Sequence, residues 1–148
     1  MTEFVINKIL VPLDGSDYSM AAAKYAVKLA GLCSAEIICV HAVPSLTYME
    51  HKSGGGVMAA YLNEAGRHAE IWYSQVKAMA GGTNVNIRTS TLLNVPSVVD
   101  SLVEYAKSNQ VDLIIVGTKG RTGLKRFLLG SVAAGLVSHS ICPVLVVR

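Results

Sequence analysis

The sequence is poor in cysteine. Cys33, Cys39 and Cys142 are the only three in 148 residues. Their odd number and wide spacing form neither a C-x-x-C pair nor a disulfide framework. The four histidines share no metal-ligand spacing either. We therefore expect buried, reduced thiols and no metal site.

Long hydrophobic runs are also absent. None reaches the roughly 18 residues that can span a bilayer, and residues 1–8 lack the charged-then-apolar pattern of a signal peptide. The net charge of +3 is mild, whereas a general nucleic-acid binder is usually more basic over a whole face. We expect a cytoplasmic protein with no membrane or nucleic-acid partner. At this length we expect one domain over residues 1–148.

Apolar strands alternate with amphipathic helices along the chain. The predicted strands cover residues 4–12, 35–43, 85–91, 111–116 and 143–147. The predicted helices cover residues 17–32 and 57–80, a segment opened at its first turn by Pro96, and residues 131–139. In the first helix we expect Tyr25 on the buried face. The irregular segment 44–56, with Tyr48 and His51, could form a lid.

This alternation predicts an α/β fold, with an open parallel five-stranded sheet and helices on both faces. Right-handed crossovers favour the Rossmann-like order 3-2-1-4-5. The topological switch then lies between strands one and four, where ligands bind in such sheets. The turn holding Asp14 ends one of these strands, and Gly117 ends the other. We expect Asp14 and Gly117 to lie close together.

A glycine-rich, basic loop joins strand four to the last helix. Gly117, Gly120 and Gly130 allow a close backbone approach, and Ser131 could cap the helix. Main-chain N–H groups and the helix dipole attract phosphate at such a position. Countercharge is concentrated in the same loop, at Lys119, Arg121, Lys125 and Arg126. The spacing does not match the Walker phosphate loop.

The turn after strand one leaves two interpretations open. The carboxylate of Asp14 could accept hydrogen bonds from a ribose. Alternatively, Asp14 or Ser16 could simply cap the following helix. Position alone does not decide between them.

The spacing of Gly117, Gly120 and Gly130-Ser131 resembles the phosphate loop of the universal stress protein family, in its ATP-binding branch. The resemblance covers nearly the whole chain and includes residues 11–14, 112–117 and 142–147. It implies the adenine nucleotide α-hydrolase-like form of the fold, with the same strand order. It also implies ATP as ligand, with Mg²⁺.

The resemblance further implies a set of nucleotide contacts. Adenine would rest between Val40 and the turn after strand one, with Asp14 at the ribose. Backbone N–H groups at Gly120, Gly130, Ser131 and Val132 would hold the phosphates. The residues expected to bind ATP are Pro12, Leu13, Asp14, Val40, Val116, Gly117, Gly120, Arg121, Gly130, Ser131 and Val132.

Catalytic machinery is hard to find in the sequence. No acidic residue occurs between Gly117 and Arg148, and no Ser-His-Asp arrangement or carboxylate pair stands out. We expect no catalytic residues and little or no ATP turnover, with a regulatory or signalling role in the stress response that the resemblance implies. Alternatives are a slow ATPase and a dimeric interaction adaptor without nucleotide. The apolar last strand, Val144–Val147, predicts a homodimer that covers this edge.

Overall fold

The computed structural model describes residues 3–46, 55–120 and 128–148. In chain order its elements are β1 (Lys8–Pro12), α1 (Asp17–Cys33), β2 (Glu36–Pro44), α2 (Gly55–Met79), β3 (Ile87–Val95), α3 (Val98–Ser108), β4 (Leu113–Gly117), α4 (Ser131–His139) and β5 (Val144–Val147). No described helix has both the length and the apolar character needed to cross a membrane.

The five strands form one parallel sheet in the order β3-β2-β1-β4-β5. Residues of α1 and α2 pack into the apolar cluster on one face, and residues of α3 and α4 into the cluster on the other. Strand β4 is buried along its whole length, as expected for a central parallel strand covered on both faces. The predicted α/β class, strand order and placement of helices are confirmed.

The two central strands are aligned at their beginnings. Asp112 Oδ2 accepts hydrogen bonds from the backbone N–H groups of Asn7, at 2.8 Å, and Lys8, at 3.0 Å. Strands β1 and β4 then pair at Ile9–Leu113 and Leu10–Ile114. Both strands continue beyond these pairs, but their described carboxyl-terminal residues are not paired with each other. This leaves room for a crevice between the carboxyl ends at the switch point.

Two predicted positions differ from the structure. Strand β1 begins at Lys8, not at residue 4, and Phe4 is 64% exposed. Tyr25, which we expected on the buried face of α1, is 53% exposed. Alanines provide the buried face of this helix instead. The small side chains let α1 lie close to the sheet, and the phenol ring remains outside.

Pro96 does not open α3 at its first turn. The helix begins at Val98, and Ser97 is its N-cap, with Ser97 Oγ accepting from the Asp100 N–H at 3.2 Å. Serine is a strong N-cap because its side-chain oxygen replaces a missing intrahelical acceptor. Pro96 therefore precedes the cap.

The cysteines also differ from expectation. All three are free thiols, but only Cys39 is buried, while Cys33 and Cys142 are partly exposed. Burial raises the pKa of the Cys39 thiol from 9.0 to about 12, although the charge of Lys77 lowers it slightly. Cys39 is thus a protonated, unreactive core residue at neutral pH.

Candidate functional site

A cavity of about 340 Å³ lies at the carboxyl ends of β1 and β4. This volume is at the small end of the range of about 300–1,000 Å³ that is usual for ligand sites. Ten of the predicted site residues line it: Pro12, Leu13, Asp14, Val40, Val116, Gly117, Gly120, Gly130, Ser131 and Val132. The fold therefore brings together two segments about a hundred residues apart. The eleventh, Arg121, lies outside the described residues.

The inner wall of the cavity is aliphatic. Val40 contributes from the middle of β2 and Val116 from the end of β4, and both are buried. Val98 and Leu102 of α3 and Ala133 of α4 complete the wall. The spacing in α3 predicts that Val98 and Leu102 face the core. It could not show that this part of the core borders a cavity.

The turn after β1 is held by its own side chains. Asp14 Oδ1 accepts from the Ser16 N–H at 2.9 Å and from Ser16 Oγ at 2.6 Å. Ser16 Oγ in turn accepts from the Ser19 N–H at 3.1 Å, so Ser16 is the N-cap of α1. Gly15 has a φ of +81°, which favours glycine. The capping role thus belongs to Ser16, while Asp14 orders the turn.

The other oxygen of Asp14 faces the segment that follows β4. A Cβ built on Gly120 would lie 2.7 Å from Asp14 Oδ2. A side chain at position 120 would therefore collide with the carboxylate. This places the Asp14 carboxylate between the two segments that line the cavity.

The expectation about the cap of α4 was wrong. Gly130, not Ser131, is the N-cap, and no side chain of the described residues caps this helix. The Gly130 N–H, which we expected to hold phosphate, donates instead to Thr118 O at 2.6 Å. A Cβ on Gly130 would lie 3.0 Å from Lys119 Cα and 3.1 Å from Thr118 O, which is closer than ordinary contact, so a side chain there would push these segments apart.

The donors at this end of α4 are therefore shifted by one residue. Ser131, Val132 and Ala133 form the first turn, whose N–H groups have no intrahelical acceptor. All three residues line the cavity. Together with the helix dipole they make an electropositive rim, and Lys119 lines the same cavity. Ala133 was not among the predicted residues, although its place in the first turn follows from the cap.

Several predicted features lie outside the described residues. These are the basic side chains Arg121, Lys125 and Arg126, and the candidate lid residues Tyr48 and His51. Within the described part of the chain, no group of three or more His, Cys, Asp or Glu side chains is arranged to hold a metal ion.

The family model of the universal stress proteins matches residues 6–148. The chain belongs to this family. The match spans both segments of the cavity and all five strands, so the family suggested by the glycine spacing is confirmed.

Curated and solved members of the universal stress protein family resemble this chain along most of its length. Universal stress protein MJ0531 of Methanocaldococcus jannaschii is 38% identical over 148 residues, which cover 99% of this chain and 84% of the relative. The structure of UspA from Lactobacillus plantarum has a TM-score of 0.78 at 26% identity and covers 97% of this chain and 99% of that one. A universal stress protein solved in complex with cAMP has a TM-score of 0.63 at 29% identity, with 97% and 98% covered.

In this family member the cavity also contains His41, which sequence reasoning missed. His41 follows Val40 near the end of β2 and is buried. Its Nδ1 lies 2.6 Å from Leu13 O. Because a carbonyl oxygen can only accept, Nδ1 carries the proton and donates. The position of His41 near a strand's carboxyl end was the available signal, since that edge of the sheet holds the ligand site.

Proposed function

We propose that this universal stress protein binds ATP in the cavity between β1 and β4. The observation that carries the proposal is the composition of that cavity. One part is an aliphatic wall, another is the carboxylate of Asp14, and the third is the N-terminal turn of α4. These three surfaces suit a base, a sugar hydroxyl and a phosphate, respectively.

The proposed arrangement follows from where each surface lies. Adenine would rest on the aliphatic wall at Val40 and Val116. A ribose hydroxyl would donate to the Asp14 carboxylate, whose Oδ1 orders the turn through Ser16 and whose Oδ2 lies beside Gly120. The phosphates would accept from the N–H groups of the first turn of α4, and Mg²⁺ would be held mainly by the phosphates.

The solved universal stress protein that holds cAMP supports an adenine nucleotide as the ligand class. The basic composition of residues 117–126 favours a polyphosphate over a monophosphate. ATP is therefore the nucleotide that we propose.

We infer little or no turnover of the bound ATP. Phosphoryl transfer needs a metal clamp and an oriented nucleophile. Among the described residues that line the cavity, Asp14 is the only carboxylate, and its Oδ1 already accepts two hydrogen bonds from Ser16. His41 is held on Leu13 O through Nδ1. The proposed role is thus regulatory, with ATP as a signal or a stabilising ligand in the stress response. A slow ATPase is the alternative.

Two measurements test the binding proposal. Mass spectrometry of the denatured, purified protein should show which nucleotide travels with it. Calorimetry with ATP and Mg²⁺ should then show binding to nucleotide-free protein. Absence of any heat of binding, together with absence of a copurified nucleotide, would contradict the proposal.

A pair of charge-matched variants locates the site. Asp14→Asn should weaken ATP binding by about 10-fold or more, since a hydrogen bond to a charged group contributes about 1.5–3 kcal/mol. Asp17→Asn removes the same charge from an exposed position in the first turn of α1. It should leave the affinity almost unchanged. Equal effects of both variants would mean that only net charge matters.

Turnover has its own assay. Release of phosphate from ATP by the purified protein should not exceed the background rate. Steady release that is lost in Gly130→Val would favour the slow ATPase, because that side chain would push against the backbone at Thr118 and Lys119.

We also propose a cytoplasmic homodimer formed through β5. Within the described part of the chain this strand lies at the sheet edge, next to β4, and its four residues are all apolar and half-buried. An apolar edge without charged residues is open to pairing with another copy. Sizing with light scattering at micromolar concentration should show a dimer, and a monomer at that concentration would refute the proposed assembly. A dimer that binds no nucleotide would instead favour the adaptor.

A further inference from the structure

We propose that His41 is a positioning residue that holds the turn bearing Asp14 in the geometry needed for the nucleotide. This inference rests on the proposed ATP site, and it concerns a side chain whose role the binding proposal does not explain. His41 is buried, polar and in contact with the cavity.

Strand β2 holds Leu13 by two hydrogen bonds. The Leu13 N–H donates to Val40 O at 2.8 Å. The Leu13 carbonyl accepts from His41 Nδ1 at 2.6 Å. Both polar groups of one residue are therefore held by two consecutive residues of the neighbouring strand. Leu13 directly precedes Asp14, so these two hydrogen bonds fix the position at which the turn begins.

The imidazole ring of His41 is itself supported by α2. The Trp72 indole on α2 meets the His41 ring edge to face, with centroids 4.9 Å apart and an interplanar angle of 89°. Such aromatic contacts have a preferred geometry and restrict ring rotation. At its backbone, the His41 N–H donates to the Tyr73 hydroxyl at 3.2 Å. Helix α2 thus holds His41 at both the ring and the main chain.

The Trp72 indole also lies against the turn that bears Asp14. A Cβ on Gly15 would collide with Trp72, and the indole Nε1 would be only 2.8 Å away. Trp72 therefore packs directly on Gly15, the residue that follows Asp14 in the chain. His41 bonds the beginning of the turn while Trp72 covers its middle. The carboxylate between them is thereby oriented towards Gly120.

The test compares two substitutions at His41. His41→Leu is apolar and cannot donate to Leu13 O. In His41→Asn the side-chain amide nitrogen occupies roughly the place of Nδ1 and can donate. If positioning depends on this hydrogen bond, His41→Asn should behave like the wild type and His41→Leu should not.

Amide hydrogen exchange reads the turn without any nucleotide. In His41→Leu the N–H groups of Leu13 and Ser16 should exchange at least about tenfold faster, because local opening becomes easier. The Asp100 N–H is the internal control, because like the Ser16 N–H it donates to a side-chain oxygen at the start of a helix, here Ser97 Oγ on α3. Its exchange should not change. Unchanged exchange at Leu13 and Ser16, or an equal increase at Asp100, would overturn the proposal.

ATP affinity provides a second, separate readout. His41→Leu should weaken binding by about tenfold, which corresponds to about 1.4 kcal/mol. In an Asp14→Asn background the same change should cost almost nothing, because the carboxylate that it positions is gone. Equal losses in both backgrounds would refute positioning through Asp14. If the wild type binds no ATP while exchange at the turn still accelerates, the proposed ligand fails and the role of His41 in the turn stands.

Discussion

Replacing Gly117 by alanine should destabilise the protein because β4 ends against the backbone of α1. A Cβ on Gly117 would lie 2.7 Å from both C and O of Tyr18 and 3.0 Å from its Cβ. Ordinary van der Waals contact begins at 3.4 Å. The first turn of α1 would have to move by roughly 0.7 Å, and two main-chain segments cannot avoid each other by rotating a side chain.

The size of the effect can be bounded from this geometry. Overpacking of this kind costs about 1–3 kcal/mol. Loss of unfolded-chain entropy on changing glycine to alanine offsets about 0.4–1 kcal/mol. We expect a net loss of about 1–2 kcal/mol in the free energy of unfolding. At about 2–4 °C per kcal/mol, the melting temperature should fall by about 2–8 °C.

Gly66→Ala is the matched control. Gly66 lies within α2, and a Cβ there would meet no atom within 4 Å. Alanine is favoured over glycine in a helix by up to about 1 kcal/mol, so this variant should be more stable than the wild type. Urea unfolding can be followed by circular dichroism and by the fluorescence of the single tryptophan. Gly117→Ala at wild-type stability or above would refute the reasoning.

Two further predictions concern buried polar groups. Tyr73→Phe should lower the free energy of unfolding by about 1–3 kcal/mol, because the Tyr73 hydroxyl accepts from the His41 N–H and donates to Ser90 O at 2.7 Å; Tyr25→Phe, at an exposed site, should have little effect in the same urea titration, and equal effects would contradict this account. Burial raises the folded-state pKa of Cys39 from 9.0 to about 12, so between these pH values the unfolded chain releases a proton that the folded chain keeps. Stability should therefore fall with rising pH by up to about 1.4 kcal/mol per unit, and this component should be missing in Cys39→Ala when urea midpoints are compared at about pH 8 and about pH 10.5; parallel profiles for the two proteins would show that Cys39 does not ionise there.

The general position of the candidate site could be predicted because its signals are local or topological. The glycines at 117, 120 and 130 indicate a backbone that closely approaches a ligand or another segment of the chain. Crossover chirality then places the end of β1, with Asp14, beside the end of β4. Neither inference needs the distance between two side chains. Both hold for the described residues, although the contacts of each residue with ATP remain predictions.

The finer features of the site could not be predicted. The sequence places Gly130 and Ser131 together at a helix start, and either could be the cap. Only the position of Thr118 O, 2.6 Å from the Gly130 N–H, decides that this amide is already used. His41 was missed because its importance depends on Leu13 O, which lies in the turn after another strand, β1.

By itself the sequence determined the order of strands and helices, the handed connections between them and the edge of the sheet where a ligand can bind. Hydrophobic periodicity and glycine placement act over a few residues, so they can be read without coordinates. The tertiary structure alone decided which amides and carbonyl oxygens at this edge are already used in hydrogen bonds within the protein. That choice depends on hydrogen bonds between distant segments, such as His41 with Leu13, and their distances arise only when the chain is packed.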